Sequence, residues 1–240
     1  MVDNFLPFLL LLLLGIFMGV LINFLSPLFS YHIEHPENKK FFRLSSRKDP
    51  IEIQKWIHYI NWRGTVSWLT LLLAITISLT FPLYFGWHLR TLIMMLFAFA
   101  LLILALIDYE SQYLPDAITI PFLWLGLLVQ LIPNLSIVPI NQAVMGSVIG
   151  YMLLRTISFF YLLVRKQDGV GYGDMKLMAM IGAWMGFFVL PFILMLSSIS
   201  FLIWSLASFA ANKKSGSSLF SFGPWIVFAT FISMLVFVKV

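Results

Sequence analysis

The sequence contains no cysteine, and charged residues make up only 10% of its 240 positions. Without cysteine, disulfides, thiolate zinc sites and cysteine nucleophiles are excluded. A soluble domain carries about 25% charged residues, so a water-soluble globular fold is excluded on composition. The chain is 61% hydrophobic with a mean hydropathy of +0.97, and intrinsic disorder needs the opposite balance. The apolar–polar alternation of a membrane β-barrel is missing, as are internal repeats and low-complexity segments.

Long unbroken apolar runs are present instead, such as 5–19 and 91–107. Each reads as a membrane-spanning helix. The first, over residues 5–29, lacks a basic leading region and a small-residue cleavage site, and reads as a retained span. Seven more cover about 65–85, 91–107, 117–133, 142–164, 177–190, 192–210 and 220–238. The expected fold is an all-α polytopic membrane protein of about eight transmembrane helices. Its parts are a first helix over 1–29, a short polar loop over 30–64, and a membrane core over 65–240.

The net charge of +5 is unevenly placed. The 30–63 loop carries Lys39, Lys40, Arg43, Arg47, Lys48, Lys55 and Arg63. Placing this loop in the cytoplasm also brings inside Arg165, Lys166, Lys176, Lys213 and Lys214. Only Arg90 and Lys239 then lie outside, and Arg155 falls within a span. The positive-inside rule therefore selects this orientation, with both termini outside the cytoplasm.

Beyond Ile53 the chain has five acids: Asp108, Glu110, Asp116, Asp168 and Asp174. In this topology all fall in two cytoplasmic loops, where one shared site at the inner membrane face is possible. An ionisable residue near the membrane is a site hypothesis by default. Asp108 closes the run 101–107, and a helix C-terminus repels an anion; the bland alternative is an acid marking the membrane exit. Asp116 follows Leu114-Pro115 and suits a helix start. Asp174 lies in Gly169-Val170-Gly171-Tyr172-Gly173-Asp174-Met175-Lys176, where it could equally be a helix cap. That glycine cluster has no Gly-Lys-Ser/Thr ending and no preceding strand, so it is not a phosphate loop.

Two carboxyls facing across a wet crevice can hydrolyse a peptide bond without a metal. One, ionised, takes a proton from water; the other, protonated, gives one to the carbonyl oxygen. Close carboxyls cannot both ionise cheaply, so their titrations split. Asp108 and Asp174 meet this need. The helix dipole would lower Asp174 and raise Asp108, making Asp174 the base.

At these residues the chain resembles the type IV prepilin peptidases. The segment Leu106-Ile107-Asp108-Tyr109-Glu110-Ser111-Gln112-Tyr113-Leu114-Pro115-Asp116 looks like their first aspartate motif. Gly171-Tyr172-Gly173-Asp174-Met175-Lys176-Leu177 looks like their Gly-x-Gly-Asp-x-Lys motif. The flanks at 120–127 and at Phe222-Gly223-Pro224 are similar too, so the resemblance covers about 95–240. It implies Asp108 and Asp174 as the catalytic pair, with Asp116, Gly171, Gly173 and Lys176 as supporting motif residues. It implies cleavage of the basic leader from type IV prepilins or pseudopilins on the cytoplasmic side of a bacterial inner membrane. No cofactor is expected for proteolysis, and S-adenosylmethionine is expected only if the N-methylation of many members is retained. Expected partners are the prepilins and the lipid bilayer, with no nucleic acid.

Typical bacterial members carry two Cys-x-x-Cys pairs after the first span; this chain has neither. Gly15, Gly19 and Asn23 echo the family's first span, but Val20 replaces its serine, and no acid appears around Val66–Thr70. His32, His35 and His58 lack a good fourth ligand for zinc, so no metal is expected. Gly146 and Gly150 read as a helix-packing pair. Arg155, mid-span, pairs with an acid or faces a polar interior, unless the span is misplaced by a turn. Three rival readings remain: an inactive prepilin-binding scaffold, a transporter, which would hold its acids near the midplane, and a different Gly-x-Gly-Asp protease that cuts within a span, against which the Leu114-Pro115-Asp116 motif argues.

Overall fold

The apolar runs of the sequence become helices. A computed structural model describes residues 5–34, 64–166, 169–210 and 221–238, and among these every regular element is helical. In chain order they are α1 (Phe5–Glu34), α2 (Gly64–Phe85), α3 (Leu89–Ser111), α4 (Asp116–Gln130), α5 (Ile140–Arg165), α6 (Tyr172–Met185), α7 (Leu190–Ala210) and α8 (Gly223–Phe237). Helices α1, α2, α3, α5 and α7 are long and apolar enough to cross a membrane. Helices α4 and α8 are apolar but have only 15 residues each, and α6 has 14. At 1.5 Å per residue these reach about 21–23 Å, short of a hydrocarbon core of about 30 Å. Large apolar side chains face outward on the long helices, among them Phe17, Val164 and Phe209, as lipid contact requires.

The chain divides into two compact units between Tyr84 and Phe85. In the first, α1 and α2 touch backbone to backbone. A methyl group added at Gly15 would stand 2.8 Å from the Ile75 Cα, and one at Gly19 would stand 3.0 Å from the Leu71 Cα. Farther along, Thr70 Oγ1 donates to Asn23 Oδ1. Thus the glycine and asparagine pattern of the first span packs α1 on α2.

In the second unit α6 is the centre. Every residue from Leu177 to Met185 is buried, as is Met175. Helix α5 lies against it, with Gly146 over Gly182 and Gly150 over Met178. A side-chain carbon at Gly146 or Gly182 would run into the other glycine's backbone, so the small-residue pair is a packing device. From the other side Trp184 stacks on Phe97 of α3, with ring centroids 4.5 Å apart and nearly parallel planes. Its Nε1 donates to the Phe122 carbonyl at 2.8 Å. Gly126 makes room for this indole, whose ring atoms come within 2.6 Å of where a Cβ would lie.

The turn after α4 is held by one buried amide. Gln130 Nε2 donates to the Trp184 carbonyl at 3.2 Å, while its Oε1 accepts from the Ile137 and Val138 amides at 2.7 and 3.2 Å.

The expected result for Gly182→Ala is a loss of about 1–3 kcal/mol, the usual cost of overpacking. Here the obstacle is backbone and cannot swing aside. Unfolding in mixed detergent micelles checks this against Val148→Ala on the exposed face of α5, for which little change is expected.

Candidate active site

The first aspartate motif closes α3. The helix runs past Ile107 to Ser111 and stops at Gln112, whose left-handed backbone (φ 54°) lets its amide donate to the Asp108 carbonyl at 2.9 Å. Ser111 Oγ caps the Ile107 carbonyl at 2.7 Å. Asp108 and Glu110 are therefore helical, not loop residues as the sequence suggested, because this capping carries α3 one turn beyond the apolar run. Asp108 is only 5% exposed. Its Oδ2 accepts from the Gly223 amide at 2.9 Å and from Ser221 Oγ. The carboxylate that ends one helix is thus met by the start of another.

The second motif opens α6, and its position follows from α5. The pairs Gly146–Gly182, Gly150–Met178 and Arg155–Tyr172 set an antiparallel register. Gly169 lies against Tyr161 so closely that a Cβ there would meet the ring at 2.6 Å. The segment 169–171 therefore runs back along the last turns of α5, and α6 starts level with Arg155. That is ten residues, or about 15 Å, short of the end of α5 at Arg165. Asp174 is the third residue of α6, again helical rather than in a loop. Arg155 lies over the Tyr172 ring, 5.4 Å from its centroid, and its Nη1 donates to Tyr172 Oη at 3.3 Å. Its place within α5 agrees with the span assignment, and the contact found for it is a motif tyrosine.

Two contacts join the motifs. Leu114 is buried on Gly173, where a Cβ would stand 2.9 Å from the leucine Cβ. Asp116, the first residue of α4, receives Lys176 Nζ on both carboxylate oxygens at 2.6 and 2.8 Å. Gly171, in contrast, has room: an added Cβ would meet only Asp174 Oδ2, at 3.4 Å. Together these contacts bring Asp174 within electrostatic reach of Asp108.

Burial, and then the neighbouring Asp108 carboxyl, push the Asp174 carboxyl up to about 7. The sequence had suggested the reverse, from the helix start alone. Desolvation and a like charge outweigh the dipole here. Among the described residues no three His, Cys, Asp or Glu side chains cluster as metal ligands. Asp168, His35 and His58 lie outside the described residues, as does the side chain of His32.

The type IV leader peptidase family model matches residues 95–206, which include both motifs. The chain is 39% identical over 63% of its length to the prepilin leader peptidase/N-methyltransferase of Pseudomonas putida, covering 52% of that protein. It is 36% identical over 71% of its length to that of Aeromonas salmonicida, covering 56% of it. With the prepilin leader peptidase/N-methyltransferase of Escherichia coli (strain K12) it shares 30% identity over 93% of its length, and it covers 95% of that protein. The chain belongs to the type IV leader peptidase family. No solved structure matches it. The chain spans about half the length of the P. putida and A. salmonicida relatives.

Within this family member the sequence reading missed Ser221. A lone serine before Phe222-Gly223-Pro224 carries no signal until the fold sets it on Asp108.

The Lys176–Asp116 pair is partly exposed. Lys176→Met and Asp116→Asn are each expected to cost no more than about 1 kcal/mol. The double variant should cost less than their sum. A double-mutant cycle by detergent unfolding checks this.

Proposed function

We propose that this chain is a membrane aspartic endopeptidase that removes the leader from type IV prepilins or pseudopilins. Asp108 and Asp174 are its catalytic pair. Carrying this reading is the meeting of two carboxyls, from two separate motifs, in one largely buried place. The names of the relatives supply the substrate class. The placement of the basic residues supports a bacterial inner-membrane protein with the peptidase site toward the cytoplasm and both termini on the other side. It also supports the division into a first helix, a polar loop over 30–64 and a peptidase core.

In the proposed reaction a water molecule sits between the carboxyls. Asp108, ionised and held by two donors, takes its proton as the oxygen attacks the scissile carbonyl carbon. Asp174, in its protonated form, gives its proton to the carbonyl oxygen. Collapse of the tetrahedral adduct breaks the C–N bond. The proton held by Asp108 passes to the leaving amine, and the gem-diol returns one to Asp174, which restores the pair. This order of roles reverses the one suggested by helix dipoles, and it rests on the two donors that hold Asp108. Only carboxyls and water take part.

Methylation is a separate matter. S-adenosylmethionine brings a sulfonium cation and a ribose diol, both of which favour a carboxylate partner. Between α1 and α2 the backbones come close at Gly15 and Gly19. The buried polar residues there are Ser26, Thr70 and Ser78, beside the Asn23 amide that Thr70 engages. The names of the relatives include N-methyltransferase, so S-adenosylmethionine is the methyl donor if methylation is retained, and leader cleavage is the activity proposed.

Asp108→Asn and Asp174→Asn should each lower cleavage of a tagged prepilin by on the order of 10³-fold or more, at normal membrane levels. Mass spectrometry of the product reads the leader loss. Cleavage retained in either variant rules out the aspartyl pair.

The pH profile is a second check. Asp174 can act as the acid only while protonated, and it loses its proton near pH 7. The turnover rate should therefore fall as pH rises through about 7, with the pair titrating as a unit. A flat rate up to pH 9 contradicts the assigned role.

A further inference from the structure

We infer that Ser221 is a positioning residue for leader cleavage, acting with the Gly223 amide to hold one oxygen of Asp108 and present the other to the attacking water. The inference rests on the proposed peptidase reading and adds a residue to it.

Both donors converge on one atom. Ser221 Oγ and the Gly223 amide each donate to Asp108 Oδ2. Gly223 is the first residue of α8, so its amide is one of the donors a helix start leaves without an internal partner. Pro224, next in line, has no amide to offer, which leaves Gly223 as the helix's first available donor. The same glycine is required by space, since a Cβ there would collide with Oδ2. The anchor thus admits the carboxylate oxygen and excludes a side chain in the same place.

The segment bearing these donors is itself fixed. Phe222 packs edge-on against Phe201 of α7, with centroids 5.6 Å apart, and Trp225 lies 5.9 Å from Trp204. The Trp225 and Ile226 amides close back on the Phe222 carbonyl at 3.1 and 3.2 Å. Because the anchor is braced by α7 while Asp108 is carried by α3, the carboxylate cannot turn about its χ2 without breaking two hydrogen bonds. Asp174 has no counterpart to this anchor among the described residues. The asymmetry fits a pair in which the carboxyl that receives the water proton is held in one orientation by donors to its other oxygen. Hydrogen bonding to the charged form favours that form, and charge-assisted bonds are the stronger kind.

The test uses the full chain in detergent or proteoliposomes with a tagged type IV prepilin. Ser221→Ala should lower kcat about tenfold or more with KM within about twofold, because substrate binding is untouched. Ser221→Thr keeps the hydroxyl and should restore most of the rate. An independent readout is the infrared carboxylate band of ¹³C-labelled aspartate that Asp108→Asn removes. That band should shift in Ser221→Ala and stay in place in Ser221→Thr. Wild-type kcat with an unshifted band in Ser221→Ala overturns the inference. If the wild type leaves prepilin uncut, the proposed cleavage falls, and the band alone then decides whether Ser221 holds Asp108.

Discussion

A carboxyl group withdrawn from water must find donors in the protein or give up its charge. The second unit of this chain is arranged around two answers to that demand. Asp108 receives two donors from the start of α8, and Asp174 is kept close to neutrality by burial and by its neighbour. The helix that supplies the donors begins with Gly-Pro, and the helix that carries Asp174 begins after Gly-x-Gly. Gly223 and Gly173 stand where a side chain would occupy the space of Asp108 and of Leu114. Sequence features that look like loop punctuation thus serve the electrostatics of one buried place.

Geometry at the far end of α6 decides where that place lies. Backbone contact between Gly146 and Gly182 sets the register of α5 against α6, and the short α6 then begins about three turns below the end of α5. Gly169, packed on Tyr161, lies along the last turns of α5 on the way to α6. A residue larger than glycine at 146 or 182 would separate the helices and carry Asp174 away from Asp108. Packing far from the carboxyls is in this way coupled to the distance between them. The Leu114–Gly173 contact and the Lys176–Asp116 pair tie the two motifs at the near end.

The family match covers both aspartate motifs and the Gly146–Gly182 contact, whereas α1 and α2 form their own compact unit. Tight glycine packing and an Asn23–Thr70 hydrogen bond fill the space between that pair of helices. Every residue proposed for cleavage lies beyond Phe85, in the second unit.

Most of the architecture was legible in the sequence, because hydrophobic run length is a local property and a bilayer demands it. Among the described residues each of the eight runs lies mostly in a helix, five of them long and apolar enough to span, and the two aspartates could be singled out as acids in an otherwise apolar chain. Short-range sequence could not show that α3 continues through Asp108 to Ser111, since the cap at Gln112 is a backbone conformation rather than a composition. Nor could it order the two acids. Dipole reasoning along each helix separately gave the wrong sign for Asp174, because burial and the facing carboxyl come from elements far away in the chain. Ser221 is the plainest case. A hydroxyl 113 positions from Asp108 means nothing until α8 is laid against α3. Composition and spacing by themselves determined a helical membrane chain bearing an aspartate pair. Tertiary structure alone decided which oxygen of Asp108 is held and by what, and that burial and a facing carboxyl act on Asp174, because desolvation and hydrogen bonding depend on neighbours that only the fold brings together.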